Sequence, residues 1–278
     1  MLTGNKQICI YGEESVYGTA VSPNSHFGIV LGGSLDEDNE LNYIYPPGVN
    51  VPSKIDYMTS GYNGRITSTF NPIVFINWAM MLKSYTIDAG VAVSGVGGIL
   101  PRRFIGAMCN SCTIDMAEEQ FIHANYEFIA QRCINGAIPT MLAPLPLYIN
   151  THIEMTVNGV PVGDFNRCSI NISNGLEGVY TTDRNKPDMR SFSKLKAKNR
   201  KANVTISRNG YSYNPMRGTQ PESYIEINIG ILDVCSNLRT LIKLIDCKQR
   251  KVSEQLQPVK PIDFVLEYEC RDIISMTM

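Results

Sequence analysis

The sequence is short of charge. Asp, Glu, Lys and Arg make up 18% of its 278 residues, against roughly 25% in an ordinary soluble domain. The 25 basic and 26 acidic side chains leave a formal net charge of −1. Scarce charge with plentiful Gly, Asn, Ser and Tyr fits a surface largely covered by copies of the same chain. An ordinary β-rich domain also runs low, so composition alone leaves both open. Long apolar runs are missing too. The longest candidate, Ile73–Leu82, falls far below the roughly 18 residues of a membrane helix, so no membrane insertion is expected. No basic segment leading into an apolar run follows Met1, which argues against a signal peptide. The expected setting is a cytoplasm, with the eight cysteines reduced and packed as small hydrophobes.

Catalytic and ligand signatures are equally sparse. Cys109-Asn110-Ser111-Cys112 is a C-x-x-C, but no second pair accompanies it and His26, His123 and His152 are scattered. A structural zinc needs about four ligands. On a strand, residues three apart point to opposite faces, so these two thiols should diverge. Cys133, Cys168, Cys235, Cys247 and Cys270 sit singly in apolar contexts and read as core. Gly95-Val96-Gly97-Gly98 runs to Pro101 rather than to a helix, which is not a phosphate loop. G-x-S-x-G and H-E-x-x-H do not occur. No enzyme, cofactor or metal is expected.

What the chain does contain is an echo of itself. In Arg167–Tyr180, Cys168, Ile170 and Ile172 alternate with polar residues before Asn174-Gly175, a strand running into a turn. Upstream by 135 positions, Ser34 matches Ser169, Leu35 matches Ile170, Asn39 matches Asn174 and Leu41 matches Leu176. A second match, Tyr126–Gln131 against Leu266–Arg271, has a spacing of 140. Two matches in one order at nearly one spacing point to a fold written twice. The length accommodates two cores of about 130 residues each. The prolines Pro139, Pro144 and Pro146 mark the joint, giving domains 1–140 and 147–278.

In order, the pattern predicts a strand at Gln7–Tyr11, an extended arm Glu13–Pro23, a strand Phe27–Leu35, an acidic turn Asp36–Glu40, and a long loop Tyr43–Gly64. A strand Arg65–Phe70 and a helix Pro72–Ser84, capped by Asn71 with proline at its first position, come next. A Gly-rich loop Ala89–Leu100 leads to a strand pair, Phe104–Met116 with Gln120–Arg132. The second half repeats the plan, with strands at His152–Val157, Val160–Ile172, Asn203–Arg208 and Tyr224–Val234. Its long loop Tyr180–Arg200 is basic, a helix is expected over Asn237–Ile245, and Asp246–Ser253 with Ile262–Arg271 closes it. In Gln120–Arg132, His123, Asn125, Glu127 and Gln131 share one face. Read alone, such a face meets solvent on a monomer.

This plan resembles the major tail tube protein of long-tailed double-stranded DNA phages and archaeal tailed viruses. Glu14–Val21 is similar to that family's early Glu-…-Tyr-Gly-Thr-Ala segment. Ser169–Glu177 is similar to its strand-to-loop turn, and Phe104–Ala107 through Ala130 to its central hairpin. The resemblance covers nearly the whole chain but is a pattern rather than a fingerprint. It implies a mainly β protein: two tandem β-sandwich or barrel domains, each with a flanking helix, that complete a central β-barrel on oligomerisation. Three chains would make a pseudo-hexameric ring; a true hexamer is the alternative.

Several further expectations follow from it. His123, Asn125, Glu127 and Gln131 would face the lumen. The basic loop, with Arg184, Lys186, Arg190, Lys194, Lys196 and Lys198, would meet acidic surface such as Asp36, Glu37, Asp38 and Glu40 on an adjacent ring or subunit. The partners would be a tape-measure protein, baseplate and tail-terminator proteins, and DNA passing without specific binding. The protein would be assembled in the host cytoplasm and reside in the virion tail. A baseplate-hub or secretion-type tube protein, or a two-domain β-sandwich binding module, are the other readings.

Overall fold

A computed structural model describes residues 6–44, 54–93, 97–117, 120–136, 147–148, 153–163, 165–179, 194–209, 224–232, 238–255 and 263–277. The fold is mainly β. The first half holds β1 (Lys6–Glu13), β2 (Ser25–His26), β3 (Val30–Ile44), β4 (Lys54–Thr69), β5 (Tyr85–Val93), β6 (Gly97–Ala117), β7 (His123–Ala130) and β8 (Arg132–Asn135). The second half holds β9 (Ile153–Val157), β10 (Val160–Pro161), β11 (Phe165–Ser173), β12 (Leu176–Val179), β13 (Lys194–Ala197), β14 (Lys201–Asn209), β15 (Ile225–Leu232), β16 (Leu238–Gln255) and β17 (Asp263–Thr277).

Eight strands run side by side in the order β3-β4-β7-β6-β11-β14-β17-β16, every neighbour antiparallel. Among the described residues the sheet does not close into a barrel. Two long strands leave it. The first part of β6 pairs with β5 and β8, and β5 with β1. Likewise the first part of β16 pairs with β15, and β15 with β9. Aromatic packing ties the first departing layer back to the eight strands. Tyr11 stacks on Tyr85 at 4.4 Å, Tyr85 on Trp78 at 5.4 Å, and Trp78 touches Tyr126 and Phe128 at 5.6 and 5.8 Å. Trp78 comes from the described helix, α-helical over Pro72–Val74 and then π-helical over Phe75–Met80. The Asn71 side chain accepts from Ile73 N and Val74 N, and Pro72 follows it, the arrangement that satisfies orphan amides at a helix start.

The hydrogen-bond ladder repeats itself. Tyr62 pairs with Ala130, and 140 positions on Ala202 pairs with Cys270. Met108 pairs with Ile129, and 140 on Lys248 pairs with Glu269. Tyr85 pairs with Ala107, and 140 on Ile225 pairs with Cys247. On β3 and β11 the offset is 135: Val30 pairs with Ser68 and Phe165 with Arg208. The irregularities coincide too. The shift between Cys109 and Ser111 recurs between Gln249 and Lys251, that between Tyr85 and Ile87 between Ile225 and Ile227, and that between Val30 and Gly32 between Phe165 and Arg167. A β-bulge costs one ladder position and bends the strand. Matching bulges therefore mean matching curvature.

Several sequence expectations are corrected. The helix expected over Asn237–Ile245 is not present in its described part, residues 238–245. That part belongs to β16, where Thr240, Ile242 and Leu244 are buried and Leu241 and Lys243 are not; this period of two overrides the apolar spacing of Leu238, Leu241 and Ile245. Asp36–Glu40 is not a turn but the middle of β3, which continues as a long hairpin with β4. Most of Ala89–Leu100 is strand, and the helix ends at Met80 rather than Ser84. Cys109 and Cys112 do not diverge. Both are fully buried, because the bulge between Cys109 and Ser111 inserts one residue and returns the second thiol to the core side.

Candidate functional site

The eight-strand sheet has two unlike faces. Towards the core point Ile66 of β4, Tyr126 and Phe128 of β7, Cys112 and Ile114 of β6, Ile170 and Ile172 of β11, Val204 and Ile206 of β14, and Leu266 and Tyr268 of β17, all buried. The other face is polar from one edge to the other. Register lines up Ser34, Arg65, Glu127, Ser111, Ser173 and Lys201 across six strands. A second row runs Gly32, Thr67, Asn125, Thr113, Asn171, Asn203 and Glu269. The cause is strict alternation: in β7 every second residue, His123, Asn125, Glu127 and Ile129, is partly exposed, and those between are buried.

Cross-strand hydrogen bonds knit this face. Thr67 Oγ1 donates to Asn125 Oδ1 at 3.3 Å, Ser111 Oγ to Glu127 Oε2 at 2.7 Å, and Asn171 Nδ2 to Thr113 Oγ1 at 3.0 Å. Three cations on it each have a carboxylate: Arg65 pairs with Glu127, Arg167 with Asp115, and Lys251 with Glu267 at 3.9 Å. Hydrogen bonds from Arg65 and then Ser111 hold the Glu127 carboxyl below its ordinary value of 4.5. The Asp115 carboxylate pushes Arg167 up. A cation already paired in this way offers less purchase to phosphate than a free one.

Of the sequence-selected residues, His123, Asn125 and Glu127 lie together on this face. Gln131 does not. It follows the end of β7, and its side chain lies over Gly18 and Gly106, both at positive φ. Asp36 is exposed on β3, while Glu37, Asp38 and Glu40 follow it as ladder positions opposite Tyr62, Gly61 and Thr59. Lys196 and Lys198 lie on or beside the small β12–β13 hairpin. Lys196 is opposite Glu177, and Lys198 Nζ is 2.7 Å from that same carboxylate. Lys194 is a ladder position opposite Val179. Arg184, Lys186 and Arg190 lie outside the described residues.

Two anchors escaped the sequence reading. Buried Glu14 accepts from Gly18 N at 2.8 Å, Thr86 Oγ1 at 2.8 Å and Gly106 N at 2.9 Å, so it pins the N-terminal arm. Fully buried Asn174 donates to Ala79 O and Cys109 O, both at 3.0 Å, and accepts from Arg200 Nε at 2.9 Å. It locks the turn after β11 onto the helix and β6. A Glu three residues before Tyr-Gly and an Asn-Gly after an apolar strand were visible; that their side chains turn inwards was not.

Among the described residues no group of three His, Cys, Asp or Glu could hold a metal, and no helix is long and apolar enough to cross a membrane. Burial pushes the thiols of Cys109, Cys112 and Cys168 up, away from the thiolate form that reacts.

The family model of the phage tail tube protein matches residues 17–207. No curated protein matches the chain. Among solved structures, the chain is similar to one in the baseplate of the anti-feeding prophage, with 14% identity, covering 50% of this chain and 97% of that one at a TM-score of 0.34. It is also similar to one in the tube-terminating cap of the same particle, with 10% identity, 50% and 95% coverage and a TM-score of 0.36.

Proposed function

The chain belongs to the phage tail tube protein family and is a structural protein of a tail; from that premise we propose that it is the ring-forming subunit of the tube through which a genome is delivered. Two tail-tube domains, residues 1–140 and 147–278, each supply four neighbouring strands to the bore. Three copies close a pseudo-sixfold ring of about 24 strands. At 4.8 Å per strand that is a backbone radius of about 18 Å, more if the strands tilt, enough for a nucleic-acid duplex. The single observation that carries this reading is the mainly polar face running across the eight strands, whose other face is core. An open sheet of this size exposes two edges, and closure into a ring removes them.

The polar face, His123, Asn125 and Glu127 included, lines the bore. Three of its cations are paired with carboxylates, which limits its grip on phosphate, and DNA slides past without specific binding. Rings stack around a tape-measure protein and end at a baseplate and a terminator. The basic segment with Arg184, Lys186, Arg190, Lys194, Lys196 and Lys198 reaches the adjacent ring, where charge complementarity sets register and speed of assembly. Assembly takes place in the host cytoplasm.

Electron microscopy and native mass spectrometry of the purified chain test this. Tubes or rings with three chains per ring are expected. A chain that stays monomeric at every concentration would favour a binding module, and six chains per ring would overturn the two-domain ring.

A further inference from the structure

Inside one chain, the way one repeat joins the next is already visible. The last part of β6 is covered by β11: Ser111 lies opposite Ser173, Thr113 opposite Asn171, Ile114 opposite Ile170 and Asp115 opposite Ser169. Two other stretches hold the same ladder positions without that cover. Among the described residues β3, offset from β11 by 135, pairs with β4 alone. Residues 248–255 of β16, offset from 108–115 by 140, pair with β17 on one side, while the β15 ladder stops at Cys247.

Burial marks both as open. Leu35 is 41% exposed, whereas its counterpart Ile170 is 0% exposed. Val252 is only half-buried, whereas its counterpart Cys112 is fully buried. The two stretches are also complementary in charge. β3 carries Asp36, Glu37, Asp38 and Glu40; residues 248–255 of β16 carry Lys248, Arg250 and Lys251 against the single acid Glu254.

We propose that β3 of one copy adds antiparallel to the free edge of β16 of a second copy, in the register of the β6–β11 seam. Ser34 then lies opposite Gln255, Leu35 opposite Glu254, Asp36 opposite Ser253, Glu37 opposite Val252 and Asp38 opposite Lys251. Asn39 occupies the place of Asn174, whose backbone N–H donates to Asn110 O at 2.7 Å; the acceptor in the second copy is the Arg250 carbonyl. Backbone bonds supply the pairing, the recurrence of the β6–β11 ladder sets the register, and it places one pair of opposite charges, Asp38 and Lys251, on facing positions. The acidic run thus serves the contact within a ring. The inference deepens the ring reading and rests on it.

Paired cysteine variants test the register. Asp36→Cys/Ser253→Cys and Glu37→Cys/Val252→Cys, oxidised with glutathione disulfide after assembly, should yield covalent dimers and trimers at least tenfold above the slipped pair Asp36→Cys/Gln255→Cys. Each single variant gives the background of the native thiols. Separately, Asp38→Lys should abolish tubes and Asp38→Lys/Lys251→Asp should restore them, which a misfolded single variant would not allow. If the parent forms rings but only the slipped pair cross-links, or none does, the register is wrong while the ring reading stands. If the parent forms no rings, both fall.

Discussion

Arg167 on β11 and Asp115 on β6 hold each other by two bonds, Nε to Oδ1 at 2.9 Å and Nη2 to Oδ2 at 2.5 Å. They are not directly opposed: Arg167 faces Ala117 and Asp115 faces Ser169, so the pair is a diagonal across the seam between the two repeats. With side chains 58% and 33% exposed, the pair is screened by water and contributes about 0–1 kcal/mol to stability. What it does decide is charge. Asp115 cancels a guanidinium that would otherwise stand free on the polar face.

Asp115→Asn should therefore leave folding nearly unchanged and give the assembled protein a grip on polyanions. Co-sedimentation with double-stranded DNA at low salt should rise above the parent and fall with added salt, the slope steepening by about one unit per freed cation. Arg167→Ala should show no such retention. Retention by the parent equal to that of Asp115→Asn would sink the idea that pairing keeps this face slippery.

How much of this was legible in the sequence depends on the kind of signal. The spacings of 135 from Ser34 to Ser169 and 140 from Tyr126 to Leu266 are the same offsets at which strand pairing recurs. Alternation in His123–Ala130 was plain because one face is core. Bulges were invisible, since an extra residue such as Asn110 leaves no compositional mark, and so Cys109 and Cys112 were assigned to opposite faces. The acidic run looked like a turn because charges on a strand make sense only when something lies beside them. The run over 238–245 looked helical because alternating buried positions were interleaved with Leu241 and Ile245, apolar as well.

Glu14 offers a test of the arm. Its carboxylate accepts three hydrogen bonds from groups far apart in sequence. Glu14→Ala strands two backbone N–H groups and a hydroxyl, and should cost about 3 kcal/mol, read as a lowered denaturant midpoint at unchanged slope. Gly18→Ala should act in the same direction. Gly18 sits at φ +73°, and a methyl there would fall 2.0 Å from Gln131 Oε1.

Glu127 sets an acid limb. Its folded value lies below the ordinary 4.5 because Arg65 and Ser111 donate to it. The stability this contributes is fully present above about pH 4.5 and is lost as pH falls through the folded value. Thermal midpoints of the parent should drop across that window, and those of Glu127→Gln should drop less steeply. Equal slopes would mean the pair with Arg65 is not formed in solution.

Asn174 and Asn39 occupy the same place in the two repeats, and their substitution should separate folding from assembly. Asn174 is fully buried and bridges Ala79 O, Cys109 O and Arg200. Asn174→Ala leaves two carbonyls and a guanidinium short of a partner, so it should lower the unfolding free energy by about 3 kcal/mol. Asn39 is a ladder position of β3 opposite Ser60, on the edge proposed to receive a second chain. Asn39→Ala should change the monomer's unfolding midpoint little and raise the protein concentration needed for tubes by about tenfold, a loss of about 1.4 kcal/mol per contact. Should Asn39→Ala instead destabilise the isolated chain as much as Asn174→Ala does, the β3 edge would already be satisfied within one molecule, and a neighbour would have nothing to complete.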